Sequence, residues 1–425
     1  MSWPNVAATT LLLMSSLANA QVPTAADVAN RAVGAFASEP FTAYAWHYDY
    51  GSAVRCGKLS TAASAGREVR YFPIYVASSA QIMVSAAYDV SRQFSQGWAS
   101  VMDRRLDSFL SNSSSEAGRI LANETLPFDS AVGDHLGLYP IAFLSRAQYY
   151  NLSMSSPEWR VAIATADRYV LGWPTRLADG TGVFSRSAGW PGQPSGPTFL
   201  WCDDTFMGLA LITRLAAAGA PNAAAYIELA VNVTLAFAAY VEDPVTGLYF
   251  HGFNYATRTA SCCKWGRANG WVLVHFTELL AALPMTHERY GDVLAAFRRH
   301  ASAILAVQDA TDGRWHQVLD DPTTFLETSV SAMSLYALAR GALSGWLAAG
   351  PGSALDVAVR KAWPPVASQV AADGTVALIC TGTGILTSVA QYNARPTPYL
   401  TSSPGLGHVF RATVAYAQYV AAYGN

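Results

Sequence analysis

The sequence predicts an all-α fold, with helices alternating between the inner and outer layers of a toroid. Helical periodicity recurs along the chain from about residue 24 to 422, while strand-like runs are short and scattered. Segments carrying reactive side chains open helices at Asp134, Asp203, Asn269 and Glu327, at separations of 69, 66 and 58 residues. Each interval holds a helix, a turn, a second helix and a return loop, so every other helix opens with chemistry. If those helices line the inside, they run in one direction and their N-terminal ends gather at one mouth. A stacked helical solenoid would give similar spacing without closing.

In chain order, helices are expected at 24–37, 77–92, 96–111, 134–150, 157–171, 204–218, 222–241, 270–283, 286–308, 328–343, 353–370 and 406–422. Their ends are marked by Gly219 with Pro221, by Pro284 and by Gly341, and their starts carry Asp, Asn or Thr. Short extended runs fall at 247–251 and 313–318. The stretches 180–198 and 391–404, rich in Gly, Pro, Ser and Thr, read as long loops within one domain rather than as linkers.

Residues 1–20 have the pattern of a signal peptide: an apolar core from Val6 to Leu17, then Ala18-Asn19-Ala20 as a small-x-small cleavage signature. The segment lacks Lys and Arg, so its positive start rests on the terminal amine. The competing reading is an N-terminal helix, against which stands the abrupt change to Gln21-Val22-Pro23. Sequons at Asn112, Asn123, Asn151 and Asn232 fit export through a glycosylating compartment. The expectation is a secreted protein in which residues 21–425 form a single domain. No other stretch reaches the ~18 uninterrupted apolar residues of a membrane span, because the Ala-rich run 209–241 is broken by Arg214, Pro221 and Glu228.

A formal net charge of −2, with charged residues at 13% of the chain, leaves no basic stripe for a nucleic acid backbone. A 52% hydrophobic content suffices for a large core. Five cysteines, Cys56, Cys202, Cys262, Cys263 and Cys380, lead to an expectation of one or two disulfides and a buried thiol. With no Cys-x-x-Cys and no His/Cys ligand cluster, neither a metal nor another cofactor is expected.

Three constellations can carry chemistry. Trp201-Cys202-Asp203-Asp204-Thr205-Phe206-Met207-Gly208 opens a helix, and Asp203 is the candidate general acid. An aspartate there can equally cap the helix. The roles conflict, because a helix N-terminus favours the ionised carboxylate whereas Trp201, Phe206 and Met207 can desolvate it and keep it protonated. Gly133-Asp134-His135-Leu136 offers Asp134 as the partner carboxylate, again with capping as the alternative. Glycosidic chemistry needs one group to give a proton and another to steady the developing cation.

The third is Gly247-Leu248-Tyr249-Phe250-His251-Gly252, followed by Trp265-Gly266-Arg267-Ala268-Asn269-Gly270-Trp271. Arg267 can meet a carboxylate bidentately, and Trp271 or Trp265 can lie under a sugar ring. The structural alternative has Asn269 capping, Trp271 in the core and Arg267 paired with an internal acid. Glu327, in Leu326-Glu327-Thr328-Ser329, reads as a supporting acid as readily as a catalytic one, so catalysis is not assigned to it.

At these residues the chain resembles the unsaturated rhamnogalacturonyl hydrolases, glycoside hydrolase family 105, and more distantly the unsaturated glucuronyl hydrolases. The motifs that carry the resemblance are Trp201-x-Asp203 with Met207, Asp134-His135, Phe250-His251-Gly252, Trp265 to Trp271, Arg314 to Val318 and Leu326 to Ala332. Ala268 departs from the pattern, where a Gly is usual, as does Ser185-Arg186, where relatives often have an aromatic and a His. The resemblance implies an (α/α)6 barrel, with Asp203 as acid/base assisted by Asp134. It implies that His251, Arg267, Trp201 and Trp271 hold the sugar, with Trp46 adding a stacking face.

The chemistry implied is hydration of the C4=C5 double bond of a terminal unsaturated uronate on a pectin-derived oligosaccharide, without metal or covalent intermediate. Two other readings stay open. One is a conventional inverting glycosidase using Asp203 and Asp134 on opposite faces of a saturated sugar. The other is a secreted carbohydrate-binding protein that has lost turnover, against which the retention of both aspartates argues.

Overall fold

A computed structural model describes residues 22–38, 84–94, 97–111, 115–124, 140–173, 175–177, 179–187, 189–190, 192–193, 196, 198–397 and 406–424. The expected signal segment 1–20, Trp46, Cys56, Asn112 and Asp134 lie outside them.

Helices dominate. The outer set comprises α1 (Ala25–Ser38), α3 (Trp98–Ser111), α6 (Pro157–Thr165), α9 (Ala223–Val241), α11 (Tyr290–Ala306) and α13 (Ala354–Ser368). The inner set comprises α2 (84–94), α5 (Ile141–Tyr149), the broken pair α7 (Asp204–Met207) and α8 (Ala210–Ala217), α10 (Gly266–Ala282), α12 (Thr328–Leu343) and α15 (Leu406–Tyr423). Short helices α4 (Glu116–Leu121) and α14 (Val389–Asn393) lie in connections. Local chemistry sets several starts. The side chains of Ser115, Ser353 and Ser388 accept hydrogen bonds from Gly118, Asp356 and Gln391 backbone N–H groups, and Pro157 occupies the first turn of α6.

The inner helices form a closed sequence of neighbours. Ser85 and Ser145 hydroxyls meet at 2.7 Å, α5 packs on α8, α8 on α10, α10 on α12 and α12 on α15. Gln418 on α15 then donates to Gln93 on α2 at 3.0 Å, joining the last inner helix to the first. Arg267 in the first turn of α10 meets Glu327 at the start of α12, whereas Arg214 and Glu278, near the ends of α8 and α10, meet each other. Like ends therefore touch like ends, and α8, α10 and α12 run in one direction. Thirteen of the sixteen residues of α12 are buried, as a helix enclosed by neighbours on all sides requires.

Three boundaries differ from the sequence reading. The helix expected at 204–218 is broken after Gly208, where a Cβ would lie 2.4 Å from the Phe184 ring. The helix expected from 270 begins at Gly266, so Arg267 and Asn269 stand within its first turn. The one expected at 134–150 is described only from Ile141. Helix α9 is long and apolar enough to cross a membrane, but it packs on α8 and α11 as an outer helix, with Ile227, Val231, Val233 and Phe237 buried.

Among the described residues one disulfide joins the neighbours Cys262 and Cys263, while Cys202 and Cys380 are buried free thiols. Burial pushes both thiols up. Asn123, Asn151 and Asn232 are exposed.

Candidate active site

A small antiparallel sheet assembles the site. Strand β1 (Phe199–Trp201) pairs with β2 (Gly252–Asn254), with Trp201 opposite Gly252, and β2 pairs with β3 (Thr259–Ala260). Cys202 N–H donates to His251 O at 3.0 Å, and His251 N–H donates to Cys263 O at 3.0 Å. These bonds set Asp203 beside His251 although 48 residues separate them. Gly252 lets the strands approach closely there: a Cβ would stand 2.2 Å from Ile385 Cδ1, which would have to move, and 3.2 Å from Leu200 O.

Asp203 Oδ2 lies 3.3 Å from His251 Nε2, with the histidine fully buried and the Asp203 residue 5% exposed. Neither atom has a well-formed hydrogen bond within the protein. Asp203 makes no capping bond to α7, so the capping alternative does not account for its carboxylate. On the other ring nitrogen, His251 Nδ1 is 2.6 Å from Tyr392 Oη, which also accepts from Leu386 N–H at 3.1 Å. Burial pushes the Tyr392 phenol up, so it stays an O–H at neutral pH. Trp201 stands edge-on to the imidazole, with centroids 5.8 Å apart, and is itself part-exposed. Trp265 packs on the imidazole at 4.6 Å.

Asp204 has a separate role. It is fully buried and paired with Arg186, whose Nε donates to Oδ2 at 2.8 Å. Arg186 is held by backbone bonds to Phe199, and its guanidinium lies over the Trp201 ring at 4.9 Å. The departure at Ser185-Arg186 thus places a buried cation behind the Trp201-Asp203 segment.

A profile of known sequences places these residues in a family. Residues 116–419 match Glycosyl Hydrolase Family 88. The chain belongs to this family. The unsaturated rhamnogalacturonyl hydrolase YesR of Bacillus subtilis is 32% identical over 157 residues, which is 37% of this chain and 42% of that protein. An unsaturated 3S-rhamnoglycuronyl hydrolase of an Alteromonas species is 29% identical over 156 residues, 36% of this chain and 37% of that one. The chain thus matches less than half the length of these curated relatives.

Among solved structures, a possible GH105 member from Salmonella enterica has a TM-score of 0.65 at 18% identity, over 80% of this chain and 82% of the other. An unsaturated glucuronyl hydrolase from Bacillus sp. GL1 has 0.57 at 14%, over 82% and 87%. These likenesses give the fold, the (α/α)6 barrel of families 88 and 105.

For this family 88 chain, two expected sugar-holding residues are buried among internal partners. Arg267 is fully buried. Its Nη1 donates to Ser329 Oγ at 3.2 Å and Cys380 O at 2.9 Å, its Nη2 to Thr381 O at 2.9 Å, and Glu327 lies 3.5 Å away. A buried guanidinium needs such acceptors, and here they pin the 380–381 segment to α10. Trp271 is also fully buried, stacked on Phe206 at 4.9 Å and edge-on to His408 at 4.8 Å. Glu327 caps α12 through Val330 N–H at 2.8 Å and accepts from Ser329 and Cys380, which makes it a supporting acid.

Asn269 is not a cap: its amide bridges to Tyr249 N–H and C=O and to Trp265 O, tying the His251 loop to α10. The sequence reading missed Tyr392 and Gln317. Gln317 accepts from Trp265 Nε1 at 3.2 Å and donates to Tyr392 O at 3.2 Å, holding both neighbours of His251. Its place in the Arg314–Val318 motif was the available signal. Among the described residues no His, Cys, Asp and Glu cluster has metal-binding geometry.

Proposed function

We propose that this chain is a secreted hydrolase that releases the terminal 4,5-unsaturated uronate from pectin-derived rhamnogalacturonan oligosaccharides. The observation that carries this reading is the buried Asp203 carboxylate facing His251 without another partner. Buried polar atoms are ordinarily satisfied, and an unsatisfied pair beside a part-exposed tryptophan is an arrangement suited to a substrate.

In the proposed reaction Asp203 starts protonated and delivers its proton to C4 of the unsaturated ring. Water adds at C5, and the Asp203 carboxylate takes the proton that the water loses, restoring the acid. The hemiketal so formed opens and expels the next sugar. His251 orients Asp203, Trp201 flanks the ring, and Asp134 is the proposed assisting carboxylate.

The test is incubation, in parallel, with lyase-generated rhamnogalacturonan disaccharides, glycosaminoglycan disaccharides and their saturated counterparts. The expected result is loss of the ultraviolet band of the conjugated uronate, fastest with the rhamnogalacturonan product, and its absence in Asp203→Asn with folding intact. Sugar release from saturated substrates alone would instead support the inverting glycosidase, and binding without turnover a carbohydrate-binding protein.

A further inference from the structure

The inner helices frame a second polar chamber away from Asp203, open to solvent on the side of Asp89 and Arg92. A cavity of about 270 Å³ is lined by Asp89 and Arg92 of α2, Tyr336 and Arg340 of α12, and Arg411 and Gln418 of α15. Arg340 stands thirteen residues beyond Glu327 on the same helix, so it lies roughly 20 Å along the axis from the mouth that holds Glu327.

The charges in this chamber do not balance. Glu278 accepts two bonds from Arg214, at 2.9 and 2.6 Å, and one from Arg411 at 2.9 Å. Asp89 has Arg92 at 3.7 Å. Three lining guanidiniums, Arg92, Arg340 and Arg411, thus face one lining carboxylate, Asp89, and the neighbouring Arg214–Glu278 pair adds no net charge, which leaves an excess of two positive charges among the described residues. Among the described residues Arg340 has neither a hydrogen bond nor an ion pair, and Arg411, paired with Glu278, is 3% exposed. Guanidinium is always charged, so the excess cannot be discharged by losing protons. An anion can discharge it, and the planar forks of Arg340 and Arg92 suit oxygen acceptors.

We propose that this chamber is a binding site for a small organic dianion of up to about monosaccharide size, held chiefly by Arg340 and Arg92. Two negative charges match the local excess, and a volume of about 270 Å³ exceeds the needs of a lone inorganic ion. Val414 and Ala415 supply an apolar wall. Two sources share this chemistry, a dicarboxylate and a phosphate monoester.

The full chain is titrated calorimetrically, and its melting temperature followed, with succinate, glycerol phosphate, inorganic phosphate and acetate at ionic strength fixed with chloride. The proposal expects saturable binding and a rise in melting temperature with the organic dianions, and little with acetate. The stronger of succinate and glycerol phosphate identifies the source. Arg340→Gln and, separately, Arg92→Gln should each weaken binding at least about tenfold. Without anion, Arg340→Gln should melt no lower than wild type, because it removes like-charge repulsion. Equal responses to acetate and dianions, or an Arg340→Gln protein that binds unchanged, would overturn it.

Discussion

Tyr392 Oη lies 2.6 Å from His251 Nδ1, and this contact couples the phenol to the proton on the opposite side of the ring. If the phenol donates to Nδ1, the ring proton sits on Nε2 and faces an Asp203 carboxylate. If Asp203 is protonated, its O–H can point to Nε2, and Nδ1–H then donates to Tyr392 Oη. The phenol can serve both arrangements because it can donate and accept.

Tyr392→Phe keeps the ring and removes this adaptability. In the proposed reaction kcat should fall about ten- to a hundredfold, part of the 10²–10⁴ that a positioned acid supplies. KM should change little, and the pH profile of kcat should move. Stopped-flow or steady-state absorbance at several pH values checks this, and a variant with wild-type kcat at every pH would remove Tyr392 from the proton network.

The Arg186–Asp204 pair makes a stability prediction that tests how the site is held. Both groups are buried, so Arg186→Ala strands a carboxylate in the protein interior, and a loss of roughly 3–5 kcal/mol is expected. Adding Asp204→Asn removes the stranded charge, so the double variant should be more stable than Arg186→Ala alone. Chemical denaturation of both single variants and the double variant measures the coupling. Strictly additive losses would show that the pair has no energetic linkage.

Much of this arrangement was legible in the sequence because helical periodicity and spacing report on long elements, and the alternation of inner and outer helices follows from both. The site was less so. Asp203 and His251 stood out as residues, but their meeting depends on strands of three residues, too short for a period-two pattern to register. The Trp265–Trp271 cluster stood out for its composition, which does not distinguish a sugar platform from a packed junction. The burial of Arg267 and its carbonyl acceptors Cys380 and Thr381 depend on long-range packing that composition does not report. Tyr392 gave no signal, being one aromatic in a stretch read as a loop. Glu327 was readable as support because a cap is a local feature, three residues from the N–H it accepts.

Two buried histidines should set the acid limit of the fold. His275 and His408 are fully buried, and burial lowers each to about 3. His275 Nε2 meets Thr234 Oγ1 at 2.7 Å, while neither ring nitrogen of His408 has a hydrogen-bond partner among its aromatic neighbours Phe206, Trp271 and Tyr336. Unfolded histidine titrates near 6.5. Between these values the unfolded chain binds more protons than the native one, so stability rises with pH across that window and is level above it. On acidification, stability should therefore be lost progressively from about pH 6.5 towards 3, by a few kcal/mol per histidine at most. Urea midpoints measured from pH 8 to 4 test this against His408→Leu, which fills the site with an apolar group that cannot titrate. The variant should lose less stability than wild type over the acid limb, by up to one proton's worth of slope. Superimposable acid limbs would mean that His408 is not among the groups whose protonation opens the fold.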